Sequence, residues 1–432
     1  MAAGPSVDRF RRGAAERGSE ARDRGALFAI RGLRPLLVSA VAWNITLWGS
    51  LFIGTETLSS GGASVLAVQL TGMATWAPLL LGGAVAGARA ARAERIPALR
   101  RIGLALGGFM GAIAMAIALG GPRGLVYVAT FGAGLGMLAN LTLQRPALYE
   151  LAGPALGPAA LALDALGMAT ASCLGPLALG FVLTVGGPEA GYAVLAGVYL
   201  LSRRLLRRVP AHASHPPSRA GGAAAPPVYE SRRTPPRGFI GLLGVTVIVN
   251  FFYFPFLALF PVLADPFTDA SWSVGVLASA PGIGLILGIG TVALRRPARL
   301  GPLYLVGSSV ALVALVPVAQ ATSYPMIFAA LVLAGLGLSG FTATQGSLVM
   351  AAAPAGRRSQ AMGLLATAVG VLPLGTLALG LVAEHVGPVT AVTGSGLVGA
   401  GCLVLWSPMW LALLRLTSGP HAASVPVALV EP

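Results

Sequence analysis

Charged side chains that could do chemistry are scarce in this chain, because only 10% of its 432 residues are charged. Asp164 is the one carboxylate that stands well inside a long apolar stretch, where an acid is costly and a partner is expected. Arg145, at the end of the preceding apolar stretch, is placed to pair with it. The pair would be either a structural ion pair or a proton-coupling or gating pair. Glu56 and Glu384 lie near the ends of two other stretches, as solvated end charges or, for Glu56, as a second proton site.

Uncharged polar side chains also occur inside the apolar stretches. They are Asn44, Asn140, Gln144, Asn250 and Gln345. Trp48 follows Asn44 by four residues and Tyr253 follows Asn250 by three, so each aromatic residue shares a helix face with its asparagine. These residues are expected either to contact a ligand or to make hydrogen bonds between neighbouring helices.

The residue patterns of enzymes, metal sites and nucleic-acid binding are missing. No nucleophile stands near a base, the four histidines form no metal-binding spacing, and no phosphate-binding loop for ATP occurs. The net charge of +15 comes from arginines in short clusters, without interleaved aromatic residues. We therefore expect no catalytic residue, no metal, no cofactor and no nucleic-acid partner.

The elements that must position these residues are membrane helices. Hydrophobic residues make up 56% of the chain, and its mean hydropathy is +0.80. Because about 20 apolar residues cross the hydrocarbon core, the sequence predicts an all-α integral membrane protein. Its twelve predicted spans, numbered 1 to 12 in chain order, are 35–56, 64–88, 101–120, 124–145, 158–185, 189–206, 238–263, 272–294, 301–320, 324–350, 360–384 and 388–413.

The basic residues predict the orientation of these spans. With this span count, 28 of the 29 basic residues fall on one side, and only Arg123 falls on the other. The positive-inside rule then makes both termini and the central loop cytoplasmic. The expected location is the cell (inner or plasma) membrane. The long charged region before the first apolar stretch does not resemble a cleavable signal peptide.

A repeated segment divides the chain into two halves. Residues 174–188, LGPLALGFVLTVGGP, return 200 residues later as LGTLALGLVAEHVGP at 374–388, and nine of the fifteen positions are identical. Spans 5 and 11 carry the two copies, which predicts two pseudo-symmetric six-helix bundles in parallel orientation. The predicted domains are a basic cytoplasmic tail at 1–34, bundles at 35–208 and 238–416, a cytoplasmic linker at 209–237, and a cytoplasmic tail at 417–432.

The first copy of the repeat belongs to a ladder of small residues. Gly167, Ala171 and Gly175 are spaced four apart and are followed by Pro176 and Gly180. Small residues let helices approach closely in lipid, and a proline bends a helix. The ladder is expected either to give tight packing alone or to form a hinge that faces the other half. The second copy, with Gly375 and Gly380, lacks the proline.

Two six-span halves with these motifs resemble the major facilitator superfamily, and within it the drug and siderophore exporters similar to the enterobactin exporter. The resemblance rests on RPALYE at 145–150, ALDAL at 162–166, LGP at 174–176, LFPVLA at 259–264 and PLGTLALG at 373–380. The segment 83–92 departs from the superfamily pattern because it has no aspartate between spans 2 and 3, so the gating ion pair of that aspartate is not expected.

The resemblance implies a function and a binding cavity. Spans 1, 4, 7 and 10 would line a central cavity, and the five polar residues together with Trp48 and Tyr253 fall on those spans. The implied function is proton-coupled export of an amphipathic drug, siderophore or other secondary metabolite by a monomer in the lipid bilayer. Import by the same fold is the alternative, and a membrane enzyme or a non-transporting sensor fits less well.

Overall fold

The computed structural model of the protein describes residues 27–90, 93–210, 237–295, 299–352 and 358–417. The described residues fold into helices without strands, which confirms the predicted fold class. Residues 1–26 and 418–432 of the predicted tails and 211–236 of the predicted linker lie outside the described residues, so the predicted domain limits there stay predictions. The helices that are described follow the predicted spans closely.

The first half begins with helices Leu33–Ser60, Val65–Ala90, Arg95–Ala118 and Leu125–Ala139, which form spans 1 to 4. A π-helical turn at Asn140–Gln144 continues span 4 into the helix Arg145–Leu206. That 62-residue helix is interrupted at Gly153 and Gly187, where φ is +76° and +68°. Glycine tolerates positive φ because it has no Cβ. The two interruptions separate the end of span 4, span 5 and span 6.

The second half repeats this arrangement. Its helices are Arg237–Phe252, Phe260–Ala264, Ser271–Arg295, Leu300–Ala319, Tyr324–Ala352, Arg358–Val369, Leu372–Val386, Pro388–Leu405 and Ser407–Thr417. Spans 11 and 12 meet at Gly387, where φ is +87°, and Pro388 begins the next helix. Gly187 and Pro188 are the matching pair in the first half. The glycine–proline end of the repeat thus ends one span and begins the next, since proline is well suited to a first helical position.

Span 7 is the most irregular span. Its α-helix ends at Phe252, a 3₁₀ helix runs over Phe254–Leu259, and a short α-helix follows at Phe260–Ala264. Pro255 and Pro261 explain the irregularity, because each lacks a backbone N–H and clashes with the carbonyl one turn earlier. The break leaves carbonyl groups of span 7 free to accept bonds from neighbours.

Eleven segments of the described chain are long and apolar enough to cross a membrane. One of them, Ala159–Leu206, has 48 residues and contains the break at Gly187, so it supplies spans 5 and 6. The twelve-span prediction therefore holds for the described residues. We call the face where span 6 ends at Leu206 and span 7 begins at Arg237 the linker side, and the opposite face the far side.

The two copies of the repeat make matching contacts inside their own halves. A Cβ added to Gly175 would lie 3.2 Å from the backbone nitrogen of Gly49 and 3.4 Å from the carbonyl oxygen of Ile45, both on span 1. A Cβ added to Gly375 would collide with the carbonyl oxygen of Phe251 on span 7. Each copy therefore uses its glycine to bring span 5 or span 11 against the first span of its own half.

Candidate transport pathway and far-side contact

The predicted partners Asp164 and Arg145 form an ion pair. Arg145 Nε donates to Asp164 Oδ2 at 2.9 Å, and Arg145 Nη2 lies 3.6 Å from the sulfur of Met168. The side chain of Asp164 is 2% exposed and that of Arg145 is 30% exposed. The pair joins the linker-side end of span 4 to span 5 within the first half. The pairing is confirmed, whereas a role in coupling or gating stays a prediction.

A second ion pair holds the same region. Arg95, at the start of span 3, pairs with Glu150 at the end of span 4. Sequence reasoning did not identify this pair, although both residues lie at span ends on the linker side. In the segment 83–92, which lacks the aspartate usual in the superfamily pattern, Arg92 lies outside the described residues.

Polar residues of the first half form a buried hydrogen-bond network between spans 1, 4 and 6. Gln144 Nε2 donates to the carbonyl oxygen of Leu36 at 3.2 Å and to Ser39 Oγ at 3.0 Å. The hydroxyl groups of Ser39 and Ser202 are 2.7 Å apart. Asn140 donates to Gln144 Oε1 at 3.1 Å. This network links helices of one half. It agrees with the second of the two roles expected for these polar residues, hydrogen bonding between neighbouring helices.

The second half contains a smaller, related network. Gln345 Nε2 donates to Thr246 Oγ1 at 3.1 Å, and the hydroxyl groups of Thr246 and Tyr304 are 2.9 Å apart. Asn250 donates to the carbonyl oxygen of Thr246, and Asn44 donates to that of Ala40, both at 2.9 Å within their own helices. These equivalent bonds support the pseudo-symmetry of the halves.

The seven predicted cavity residues are not equally accessible. Five are buried, with exposures of 3% or less: Asn44, Asn140, Gln144, Asn250 and Tyr253. Trp48 and Gln345 are partly exposed. Trp48 packs edge-to-face on Trp76, with ring centroids 6.0 Å apart, and its indole N–H has no hydrogen-bond partner in the described part of the chain. Contact with substrate stays a prediction for all seven, and only Trp48 and Gln345 present surface in this conformation.

Glu56 is not a solvated end charge. It is 4% exposed, and the hydroxyl of Ser271 donates to its Oε1 at 2.7 Å. Ser271 begins span 8, so the bond joins the first half to the second on the far side. The sequence left open a role of Glu56 as a second proton site, which stays a prediction, but it could not show that the first residue of span 8 would lie beside Glu56.

Within the described part of the chain, three further hydrogen bonds join the halves near the far side. Gln69 Nε2 of span 2 donates to the carbonyl oxygen of Pro255 at 2.7 Å, in the irregular part of span 7. The other two bonds run from the backbone N–H of Leu66 to Glu384 Oε2 and from that of Trp272 to Thr184 Oγ1, at 2.9 and 3.0 Å. Gln69 is fully buried, and a glutamine inside an apolar span was a sequence signal that the prediction missed.

The ladder and the residues after it face different neighbours. A Cβ added to Gly167 would lie 2.7 Å from Val41 Cγ2 of span 1. With the contact of Gly175, this places the ladder against its own half, and Ala171 is fully buried. For Gly167 and Gly175 these contacts favour the alternative of tight packing within the half, and a hinge role for the motif stays a prediction. Backbone φ/ψ stay helical through Pro176, so a bend there stays a prediction.

Pro176 and Gly180, which follow the ladder on span 5, face the other half. A Cβ added to Gly275 of span 8 would lie 2.6 Å from the carbonyl oxygen of Pro176 and 3.0 Å from the Cα of Gly180. The second copy makes the equivalent contact with span 2. A Cβ added to Gly72 would lie 3.0 Å from Thr376 Cγ2, and one added to Gly380 would lie 2.9 Å from Gln69 Cβ.

The helical halves and their far-side contact define the protein class, a secondary transporter of two related bundles. Residues 36–374 match the family model described as Major Facilitator Superfamily. The chain belongs to this superfamily and is a membrane transporter rather than an enzyme. Among curated proteins, none matches the chain significantly.

Similar solved structures share the fold at low identity. A bacterial homolog of the human lysosomal transporter Spinster, in an inward-facing and occupied conformation, is 15% identical, with a TM-score of 0.64 over 88% of this chain and 96% of that one. The peptide transporter POT in complex with sulfate is 16% identical, with a TM-score of 0.67 over 90% and 96%. Both likenesses support the fold alone.

Proposed function

We propose that this transporter exports an amphipathic small molecule in exchange for protons, as drug and siderophore exporters do, with the proton gradient as its energy source. The observation that carries the proposal is the buried carboxylate of Glu56 at the contact between the halves. A carboxylate taken out of water is costly unless it is neutralised or well paired. Its one hydrogen-bond donor in the described part of the chain is the hydroxyl of Ser271.

Proton coupling needs a group whose access to water differs between two conformations. In the present conformation the side chain of Glu56, on span 1, is buried against the start of span 8. Opening the far side would separate Glu56 from Ser271 and expose the carboxylate to the solution there. A proton bound at that moment removes the charge and so favours the return to the closed contact. Proton uptake on the far side would thus follow substrate release, and the exchange would be complete once Glu56 loses this proton to the linker side, after the far side has closed.

The accessible residues support an amphipathic substrate. Trp48 and Trp76 form an aromatic pair on spans 1 and 2, and both rings are partly exposed. Gln345 adds one amide group on span 10. Apolar and aromatic surface with a few polar groups suits drug-like molecules. A sugar would need many more hydrogen-bonding partners.

The proposed direction requires the linker side to be cytoplasmic, as the arginine distribution predicts. Alkaline phosphatase fused after residue 220, in the central linker, should be inactive because it stays in the cytoplasm. Fusion after residue 187, between spans 5 and 6, should be active. An active fusion at 220 would contradict the orientation.

Transport can be tested in everted membrane vesicles that contain the chain. A proton gradient is established across the vesicle membrane. A panel of amphipathic cations, zwitterions and catecholates is then screened for compounds that accumulate inside the vesicles and dissipate the gradient. We expect at least one compound, such as ethidium, to accumulate and to stop accumulating after a protonophore is added. Glu56→Gln should abolish the dependence on protons while leaving the protein folded.

Glu189→Gln is the matched control, because Glu189 is another far-side carboxylate and makes no bond to the other half among the described residues. It should transport like the parent protein. Accumulation only in right-side-out vesicles would favour import. If no compound moves with protons in either orientation, or if Glu56→Gln retains proton-driven transport, the proposed coupling is wrong.

A further inference from the structure

Two of the far-side hydrogen bonds come from equivalent positions of the repeat. Thr184 in the first copy and Glu384 in the second are separated by the repeat distance of 200 residues. Each accepts a bond from a backbone N–H of the other half. The two acceptors differ in chemistry, because one is a neutral hydroxyl and the other a carboxylate.

The donors are equivalent as well. Leu66 and Trp272 are the second residues of the helices Val65–Ala90 and Ser271–Arg295, which are spans 2 and 8. The first N–H groups of a helix have no partner within that helix. In span 2, Val68 bonds back to Ser64, and in span 8, Val274 bonds back to Ala270 in the same way. The N–H groups of Leu66 and Trp272 instead depend on a side chain from the opposite half.

We propose that the far side is held closed by reciprocal helix capping, in which each copy of the repeat caps the first turn of a span in the other half. Thr184 caps span 8, and Glu384 caps span 2. Opening the far side breaks both caps at once, so residues 184 and 384 set the balance between the closed and open conformations. This inference depends on neither the direction nor the coupling ion proposed above.

The two caps should not be equally strong. A carboxylate at a helix N-terminus gains from the helix dipole in addition to its hydrogen bond, whereas a hydroxyl gains from the hydrogen bond alone. Both Thr184 and Glu384 are exposed to the far-side solution. Salt should therefore weaken the cap of Glu384 and leave that of Thr184 nearly unchanged.

Spin-label distance measurements on the full-length protein test the proposal. Labels are attached to Gly124→Cys and Ser323→Cys, exposed far-side positions in opposite halves, after Cys173 and Cys402 are replaced by alanine. Glu384→Ala should raise the ratio of open to closed far side by about fivefold, the size typical of a lost helix cap. Thr184→Ala should raise it by about threefold or less, as expected for a weaker cap.

Two variants separate capping from general damage. Glu384→Thr copies the residue of the first repeat, keeps an acceptor and should raise the ratio less than Glu384→Ala does. Glu189→Ala removes a far-side carboxylate that makes no such cap and should leave the ratio unchanged. In high salt, the effect of Glu384→Thr should shrink and that of Thr184→Ala should persist. If Glu384→Ala gives the same distances as Glu189→Ala, the capping proposal is wrong.

Discussion

The two copies of the repeat pack alike inside their halves and differ where the halves meet. Gly175 and Gly375 each bring their span against the first span of the same half. Two pairs of positions that contact the other half differ between the copies. Position 176 is proline where 376 is threonine, and position 184 is threonine where 384 is glutamate. The comparison indicates that packing within a half constrains both copies in the same way, whereas the contact between halves allows each copy its own chemistry.

The halves also differ in charge. The ion pair of Arg145 and Asp164 stabilises the linker-side end of the first half. The equivalent positions in the second half hold Gly346 and Leu364, both exposed. The first half therefore carries an electrostatic contact for which the described residues of the second half show no equivalent.

The largest expected effect is the loss of glycine from either copy. Gly175→Leu and Gly375→Leu should both prevent assembly, because a branched side chain would enter a close contact between helices. The smaller Gly→Ala changes separate the two sites. Gly375→Ala meets the backbone of Phe251 and should cost about 3 kcal/mol, the upper range of overpacking. Gly175→Ala should cost about 1 kcal/mol, because its nearest contacts lie at 3.2 Å.

The measurement is the fraction of monodisperse protein on size exclusion, together with the melting temperature. Gly394→Ala serves as the control, because a Cβ there meets nothing within 4 Å. Equal stability of Gly175→Ala and Gly375→Ala would show that the two packing contacts are equally tolerant.

The next effect concerns the ion pair. Arg145→Ala should cost about 3 kcal/mol, because it leaves a buried carboxylate without its partner. Asp164→Asn should cost less, since Arg145 is 30% exposed and can reach water. Leu364→Ala at the equivalent position of the second half should be nearly neutral. Thermal unfolding in detergent measures the stability of the three variants. If Asp164→Asn is less stable than Arg145→Ala, the prediction is wrong.

Transport by Asp164→Asn distinguishes the two roles of the pair. Loss of proton-driven transport at normal protein yield would indicate a role in coupling. A lower yield with normal transport per molecule would indicate a structural role. Normal transport at normal yield would exclude both.

The smallest expected effect is at the proline. Pro176→Ala should stay within about 0.5 kcal/mol of the parent protein in stability, because alanine suits a helix and restores a backbone donor. It should slow transport if Pro176 helps span 5 to move against span 8. Thr376→Ala, at the matching position on span 11, should be nearly silent. Efflux per inserted molecule measures both, and equal efflux by Pro176→Ala and the parent would limit the residue to packing.

Much of this architecture can be predicted from local sequence. Apolar runs of about 20 residues predict the spans because backbone groups in lipid must bond within their own helix. The glycine–proline ends of the repeat mark where spans 5 and 11 stop, since positive φ and a proline at a helix start are local properties. The pairing of Asp164 with Arg145 also followed from the scarcity of charge in the spans.

The neighbours of each helix face are decided only by the tertiary structure. Residues one or two positions apart on a helix point in different directions, so Gly175 packs within its half while Pro176 meets the other. The sequence placed Glu56 near a span end, but only the approach of the two halves brings Ser271 to it. The sequence by itself thus determined the spans and their repetition, because hydropathy and backbone chemistry are local. The folded structure determined the contacts between halves, because these depend on how two bundles meet.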